Sequence, residues 1–387
     1  MGKPSVISRL TPVNLVEEMA KFFSSLGQAS GYNPQFVYME DPSEIHQPPV
    51  DTRFVKAALY IIGKSNEMNV ERTCPLIDPP TLRNIVLNYL SLMGLQDSVD
   101  VEISMSPVSV ASVSRGTRPK VHISPLPVSV SIVKSVCAHE LGTHLLRMLN
   151  DDHQMWGKGG RRAAFSLKPH HNTEEGLACL NGLVFFSENS SYPLLYHAAL
   201  RYLAVVLAQE SDFVDLFKQL SNHILDKEEC FRFCARAKRG VTNTSIPGAS
   251  GCMIDQSYLI GAIDILSNIE SIDFVALYAG LIDREDCVRL KNVLRVEGIR
   301  LPPFLQSQAR LAMYKKRLRQ IAEVNNIAVL GAPSLGRSIC LRKSSVRRLN
   351  SYCRGKPNLR TTSSMHHHCD DLRRGKSSQT LEISECG

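Results

Sequence analysis

The sequence predicts an α+β protein that is mostly helical, with a small β-sheet beside one buried helix. Most apolar residues recur at three- and four-residue intervals, which is typical of helices, whereas residues 99–124 alternate and are rich in β-branched side chains. The next segment, Ser131–Asn150, has apolar residues on most sides and is predicted to be a buried helix. The sheet and this helix are therefore expected to lie together.

The elements before this helix are short. Residues 11–27 form an amphipathic helical segment, residues 32–38 a short strand, and residues 51–68 and 79–93 two helices. Residues 99–124 predict two or three strands, with Arg115-Gly116-Thr117 as a turn. Two interpretations stay open for these strands: an ordinary hairpin, or a sheet edge that holds an extended peptide by main-chain hydrogen bonds.

The second half of the chain is predicted to be nearly all helix. Asp212, Asp255 and Asp283 each precede an apolar periodic run and are predicted as N-caps. The predicted helices cover residues 193–209, 212–223, 227–238, 255–268, 273–279, 283–294 and 303–325.

The buried helix contains the motif His139-Glu140-Leu141-Gly142-Thr143-His144. Burying these polar groups is unfavourable unless a metal ion or a hydrogen-bonded core cluster compensates them, and both interpretations stay open. In the common H-E-x-x-H helix of zinc hydrolases the histidines are four residues apart and the glutamate is the general base. Here they are five apart, which turns the second ring about 140° away on a regular helix. A one-residue π-bulge, eased by Gly142, would realign the two rings.

A second polar motif, Asn172-Thr173-Glu174-Glu175, opens another apolar helix about thirty residues later. A carboxylate from a second helix is one way in which two-histidine zinc sites are completed. Alternatively, the motif caps the helix, because acidic residues are favoured at a helix N-terminus. The two interpretations are compatible.

These motifs together resemble the microtubule-associated tyrosine carboxypeptidase family. The resemblance rests on H-E-L-G-T-H at 139–144, N-T-E-E-G-L-A at 172–178 and R-G-V-T-N-T-S-I-P-G at 239–248, and it extends over residues 33–326. It implies a zincin-like metallopeptidase that uses a zinc ion (Zn²⁺) to remove the C-terminal tyrosine of α-tubulin on microtubules. The chain then divides into an N-terminal helical segment (1–32), a catalytic domain (33–328) and a basic tail (329–387).

The resemblance also implies the roles of the motif residues. His139 and His144 would bind Zn²⁺ through imidazole nitrogens, and Glu140 would be the general base. Glu175 would be the third ligand, because the family places that ligand directly before Gly-Leu-Ala. Glu174 points about 100° away on a helix, so only one of the two acids can reach the metal.

Cationic and aromatic residues are the predicted partners of an acidic peptide tail. Lys158, Arg161 and Arg162 lie in the loop between the two motifs, where they would attract the tail, although a solvated charged loop is the alternative. Arg239 is a candidate for binding the terminal carboxylate, since Arg binds carboxylates bidentately. Tyr258 is a candidate donor to the oxyanion, with a packing role as its alternative.

Composition sets the class of protein. Residues 331–387 hold eleven Lys or Arg against four Asp or Glu, so most of the net charge of +8 lies in a tail that we predict to be disordered. The sequence has no N-terminal signal and no long apolar run, which predicts neither secretion nor a membrane span. The eleven scattered cysteines include no CxxC pair, which indicates reduced cytosolic thiols.

We therefore expect a cytoplasmic monomer on microtubules that binds the α-tubulin C-terminal tail, with no nucleic acid and no membrane as partner. Two alternatives remain: a zinc peptidase with another acidic-tail substrate, and a catalytically impaired microtubule-binding relative. Residues 249–254 depart from the family pattern, which keeps the second alternative open.

Overall fold

The computed structural model describes residues 9–26, 31–42, 48–66, 75–104, 110–157, 161–167, 171–184, 194–247 and 253–330. The predicted basic tail from residue 331 onward, Lys158 and most of the segment 249–254 lie outside the described residues.

Helices make up most of the described chain, which confirms the predicted class, and small sheets supply its β part. The α-helices are α1 (Leu15–Ser24), α2 (Val55–Asn66), α3 (Pro79–Leu92), α4 (Val130–His139), α5 (Leu146–Asp151), α6 (His171–Val184), α7 (Tyr196–Ala208), α8 (Phe213–Leu220), α9 (Lys227–Ala237), α10 (Ser257–Ser267), α11 (Phe274–Leu277), α12 (Arg284–Arg289), α13 (Gln308–Val324) and α14 (Ile327–Leu330). Tighter 3₁₀ turns cover Arg161–Phe165, Met253–Gln256 and Pro303–Leu305, and Glu140–Leu145 is π-helical.

The sheets form from the alternating segment and its flanks. The strands are β1 (Leu76–Ile77), β2 (Asp100–Ile103), β3 (Ala111–Ser114), β4 (Lys120–Ile123) and β5 (Val128–Ser129). β4 is central, with β2 parallel on one side and β3 antiparallel on the other, and Val121 is opposite both Val101 and Val113. β1 pairs with β5 in a separate antiparallel ribbon. β3 is thus an edge strand, and it packs against the π-helical turn.

The core sits where α6 crosses α10. α7 and α10 are buried on nearly all sides because their sequences are apolar all round. α6 packs along α10, α4 and the π-helical turn, so the two motif-bearing segments lie side by side.

Gly176 on α6 and Gly261 on α10 allow this crossing. A Cβ on Gly176 would lie 2.2 Å from the carbonyl carbon of Gly261, and a Cβ on Gly261 would lie 1.6 Å from the carbonyl oxygen of Asn172. Only hydrogen fits at either position, because real Cβ contacts are longer than 3 Å. The glycine that follows Glu175 is therefore required by packing.

Aspartate caps fix several helix starts. Asp212 and Asp283 each accept a hydrogen bond from a backbone N–H three residues on, which confirms two of the predicted N-caps. The third prediction is wrong: Asp255 lies inside a 3₁₀ turn, buried, and forms an ion pair with Arg236. A buried carboxylate needs a charged partner, and Arg236 meets that need where a backbone N–H does not.

Side-chain contacts hold the N-terminal helix α1 against later parts of the described chain. Glu18 of α1 accepts hydrogen bonds from the Tyr32 hydroxyl and the Gln35 backbone N–H, both at 2.7 Å. Its neighbour Phe22 packs against the rings of Phe213, Phe217 and Phe231. The predicted strand at 32–38 is wrong in extent, since only a single bridge forms there, between Gln35 and Asn243.

Candidate metal centre and active site

The predicted π-bulge in the His139–His144 motif is confirmed. His139 ends α4, the π-helical turn runs from Glu140 to Leu145, and α5 begins at Leu146. The extra residue in the turn brings both rings to one side of the helix, with centroids 5.0 Å apart and planes at 71°. The structure thus places the two imidazoles as a pair, although their spacing of five would separate them on a regular helix.

Gly142 serves the turn by leaving space. Its backbone is outside the left-handed region, and an added Cβ would lie 3.0 Å from the Tyr89 hydroxyl oxygen. Its carbonyl accepts a hydrogen bond of 2.7 Å from the Tyr278 hydroxyl, and the Thr143 hydroxyl donates to the Ala138 carbonyl at 2.9 Å. Side-chain hydroxyls therefore add hydrogen bonds to backbone carbonyls of the widened turn and of the helix before it.

Asn181 links this turn to α6. Its amide donates to the Thr143 hydroxyl at 2.7 Å and to the Tyr278 hydroxyl at 2.8 Å, and its carbonyl accepts from the Tyr314 hydroxyl at 2.6 Å. All four side chains are fully buried. Each hydroxyl hydrogen and both amide hydrogens have an acceptor, which makes this buried polar network a stabilising one.

His139, His144 and Glu175 come together across the α4–α6 contact. One donor atom from each lies within 4.8 Å of the other two, and the three side chains are half-buried. The His144 Nε2 atom is 3.8 Å from the Glu175 Oε2 atom, and that buried oxygen has no hydrogen-bond partner in the part of the chain that the structure describes. A buried carboxylate oxygen without a partner beside two imidazoles fits a cation, because such an oxygen is otherwise costly.

Glu174 has a different set of partners. Its Oε1 accepts from His144 Nδ1 at 2.6 Å, and its Oε2 forms an ion pair with Arg147. Arg147 is fully buried and also donates to the Leu277 and Ile282 carbonyls, at 3.1 and 2.6 Å. In the neutral tautomer that donates its Nδ1–H to Glu174, the Nε2 lone pair of His144 lies on the side of Glu175.

Burial and neighbouring charges shift the pKa values of the three titratable residues of the motif. It raises the pKa of Glu140 to about 7. Burial and the neighbouring His144 hold the pKa of His139 well below its usual value. For His144 burial acts in the same direction, but the hydrogen bond to Glu174 and the nearby carboxylates outweigh it and raise the pKa to about 10.

Tyr258 lies beside the histidine pair. Its ring is nearly parallel to that of His139, with centroids 6.2 Å apart. Arg236 donates a long hydrogen bond of 3.5 Å to its hydroxyl and is itself paired with Asp255. The Arg201 guanidinium lies 4.3 Å from the centre of the same ring. The predicted oxyanion role of Tyr258 stays a prediction.

Sequence reasoning missed Arg201, Arg147 and Asn181, which lie on the apolar helices α7, α5 and α6. Charged or amide residues within otherwise apolar, buried helices are the signal that could have identified them.

The basic loop after α5 is held in place by hydrogen bonds to the Asp151 side chain. The Trp156 indole, 1% exposed, donates to Asp151 Oδ1 at 3.0 Å, and Arg162 donates to the same oxygen at 3.3 Å and to the Leu281 carbonyl at 2.7 Å. Arg161 is exposed. The predicted substrate contacts of Arg161 and Arg162, and of Lys158 outside the described residues, stay predictions.

Arg239 follows the end of α9. Burial raises the pKa of Tyr38 to about 12, and the charge of Arg239 opposes that rise. The same charge adds to the effect of Arg236 in lowering the pKa of Asp255 against its burial. Arg239 therefore lies near the Arg236–Asp255 pair, and its predicted role as the carboxylate-binding residue stays a prediction.

The profile of one family, microtubule-associated tyrosine carboxypeptidase, matches residues 17–326, which include the whole site. The chain belongs to this family. It is 31% identical over 336 residues to human microtubule-associated tyrosine carboxypeptidase 1, covering 84% of this chain and 69% of that protein. It is 32% identical over 339 residues to the mouse putative tyrosine carboxypeptidase MATCAP2, covering 84% of this chain and 63% of that protein. Within the described residues, no helix has the length and apolar character needed to cross a membrane.

Proposed function

We propose that this chain is a zinc metallocarboxypeptidase with a zincin-like fold that removes the C-terminal tyrosine of α-tubulin. The observation that carries the proposal is the convergence of His139, His144 and Glu175, with a buried Glu175 oxygen that lacks a protein partner. Two imidazoles and a carboxylate are a donor set of catalytic zinc sites, which keep a further position for water. The names of the relatives supply the substrate class, a C-terminal tyrosine, and the association with microtubules.

His139, His144 and Glu175 would hold the zinc ion. When bound there, zinc would lower the pKa of water and polarise the scissile carbonyl. Glu174 and Arg147 would support the site, because the hydrogen bond between Glu174 and His144 Nδ1 would orient the imidazole and leave Nε2 for the metal.

Glu140 would move the proton. Its Oε1 atom lies 3.8 Å from His139 Nε2, so its carboxylate faces the same space as the imidazole pair. It would accept a proton from the attacking water and deliver it to the amine of the departing tyrosine. A general base works best with a pKa near the operating pH, and burial of Glu140 shifts its pKa in that direction.

The edge strand β3 is the element suited to hold the substrate chain. It lies beside the π-helical turn, and one of its sides is free of any strand of the described sheet. An extended peptide could add there by main-chain hydrogen bonds, which hold a peptide irrespective of its side chains. The exposed cation Arg161, and Lys158 in the same loop, would add attraction for an acidic tail.

The test compares the parent protein with Glu140→Gln on microtubules. The mass of the α-tubulin C-terminus should fall by one tyrosine with the parent, and the variant should be slower by about 10²- to 10⁴-fold with its zinc content unchanged. Glu270→Gln, at an exposed acid on the surface, is the matched control and should equal the parent.

Other outcomes would reverse the proposal. Cleavage by Glu140→Gln at more than a tenth of the parental rate would remove Glu140 from the proposed role. Microtubule binding without tyrosine release by the parent would identify a catalytically impaired relative. Release of another residue would indicate a peptidase with a different substrate.

A further inference from the structure

The Arg201 guanidinium has the carboxylates of Glu140 and Asp255 within electrostatic range, but it forms a salt bridge with neither of them. Among the described residues it has no ion pair and no hydrogen bond, and its contact is with the face of the Tyr258 ring, 4.3 Å from the ring centre. Three other buried or half-buried arginines of the described chain have a carboxylate partner: Arg147 pairs with Glu174, Arg162 with Asp151 and Arg236 with Asp255. A partly buried cation commonly has such a partner, so an anion from outside the chain fits beside Arg201.

The position of Arg201 relies on rigid neighbours. It lies on α7, where ten of the thirteen residues are buried, and its own side chain is half-buried. Arg236, which Asp255 orients, donates a long hydrogen bond to the Tyr258 hydroxyl, and the face of the Tyr258 ring contacts the Arg201 guanidinium. Arg236 pairs with Asp255, whereas the guanidinium donors of Arg201 have no acceptor among the described residues.

Arg201 is also close to the proposed metal centre. The Tyr258 ring lies 4.3 Å from the guanidinium carbon and 6.2 Å from the His139 ring centroid, so the guanidinium is no farther from His139 than the sum of these distances. One extended residue, plus a polar contact of roughly 3 Å at each end, spans on the order of 9–10 Å. One amino-acid residue therefore fits within the upper limit that these two distances set.

We propose that Arg201 binds the terminal carboxylate of the substrate and so limits cleavage to the last peptide bond. The proposal rests on the proposed carboxypeptidase function and assigns to Arg201 the role that the sequence suggested for Arg239. The planar guanidinium binds a carboxylate through two parallel hydrogen bonds. An internal peptide bond offers no charge at that point, so binding it would leave Arg201 unpaired, and this penalty selects against endopeptidase action.

The experiment measures binding separately from cleavage. The zinc-loaded Glu140→Gln protein is titrated with two fluorescent acidic peptides that end in tyrosine, one with a free carboxylate and one with a C-terminal amide. Arg201→Met should weaken binding of the free acid by about 10- to 100-fold, the range for hydrogen bonds to a charged group. Binding of the amide should stay unchanged. Arg201→Lys should keep part of the preference, since lysine cannot bind bidentately.

Arg319→Met is the matched control, because Arg319 is an exposed arginine paired with Glu270 on the surface. It should leave both affinities unchanged. Free-acid binding by Arg201→Met at the parental level would overturn the proposal, as would an equal loss for acid and amide, which indicates a structural role. Should Arg201→Met fail to fold, Arg201→Lys decides by the same acid-to-amide ratio.

Tyrosine release by the parent protein is measured separately, so that failure of this proposal can be distinguished from failure of the proposed function. Release of tyrosine by the parent, with no carboxylate preference dependent on Arg201, would overturn only the carboxylate assignment. A preference dependent on Arg201, without tyrosine release, would support Arg201 and overturn the proposed reaction.

Discussion

Replacing Gly176 by alanine tests whether the α6–α10 crossing positions the site. The new methyl carbon would lie 2.2 Å from the Gly261 carbonyl carbon and 2.4 Å from the Ala262 nitrogen, both of them backbone atoms. Carbon atoms in contact are about 3.5–4.0 Å apart, so the two helices would have to separate by more than about 1 Å. No side-chain rotation can relieve a contact between two backbones.

The magnitude follows from two opposing effects. Overpacking a tight contact costs about 1–3 kcal/mol and occasionally more, and a backbone contact belongs at the upper end. Alanine regains about 0.8–1.0 kcal/mol over glycine in a helix. We expect a net loss of about 2 kcal/mol or more in the free energy of unfolding, measured as a lower urea midpoint at unchanged slope.

Gly63→Ala is the matched control for helix propensity. Gly63 is exposed on α2, and an added Cβ would have nothing within 4 Å, so this variant should gain about 0.5–1 kcal/mol. Because Gly176 directly follows Glu175, Gly176→Ala should also lose zinc to a competing chelator more readily, and Gly63→Ala should not. A Gly176→Ala protein as stable as the parent, beside a stabilised Gly63→Ala, would refute the packing argument.

Three further predictions concern individual contacts. Glu175→Gln should lose bound zinc, whereas Glu174→Gln should retain it with weaker affinity, since Glu174 only supports His144; metal analysis showing the reverse would exchange the two roles. Asn181→Leu should cost about 1–3 kcal/mol because the buried Tyr314 hydroxyl loses its acceptor. Tyr314→Phe should then lower the free energy of unfolding by less in the Asn181→Leu background than in the parent. Equal losses in the two backgrounds would exclude an energetic coupling between Asn181 and Tyr314. Burial would raise the pKa of Asp255, but Arg236 lowers it below the usual value, so the stabilisation is present above about pH 4 and is lost as the pH falls further. Asp255→Asn should therefore lower the urea midpoint at pH 7 and reduce the difference between the urea midpoints measured at pH 7 and at pH 3. An unchanged midpoint at pH 7 would show that the Asp255–Arg236 pair contributes no stability.

Features that depend on neighbours in the sequence could be predicted without the structure. The five-residue spacing of His139 and His144 required a widened turn, because only an extra residue returns the second ring to the first ring's side. The caps at Asp212 and Asp283 are equally local, since each carboxylate bonds a backbone N–H three residues on. Alternation marked the three strands of the larger sheet.

Features that depend on distant contacts were decided only by the tertiary structure. Glu174 and Glu175 are adjacent, and their different partners follow from the placement of Arg147 and His144 on another segment. Asp255 carries the local signature of a cap, yet a residue on α9 pairs with it because a buried charge is satisfied best by another charge. Arg201 lies 57 positions after His144 on an apolar helix, and no periodicity or spacing predicts that its guanidinium meets Tyr258. Local backbone geometry and helix or strand propensity depend on residues that are close in sequence, whereas the partners of charged groups depend on which helices pack together.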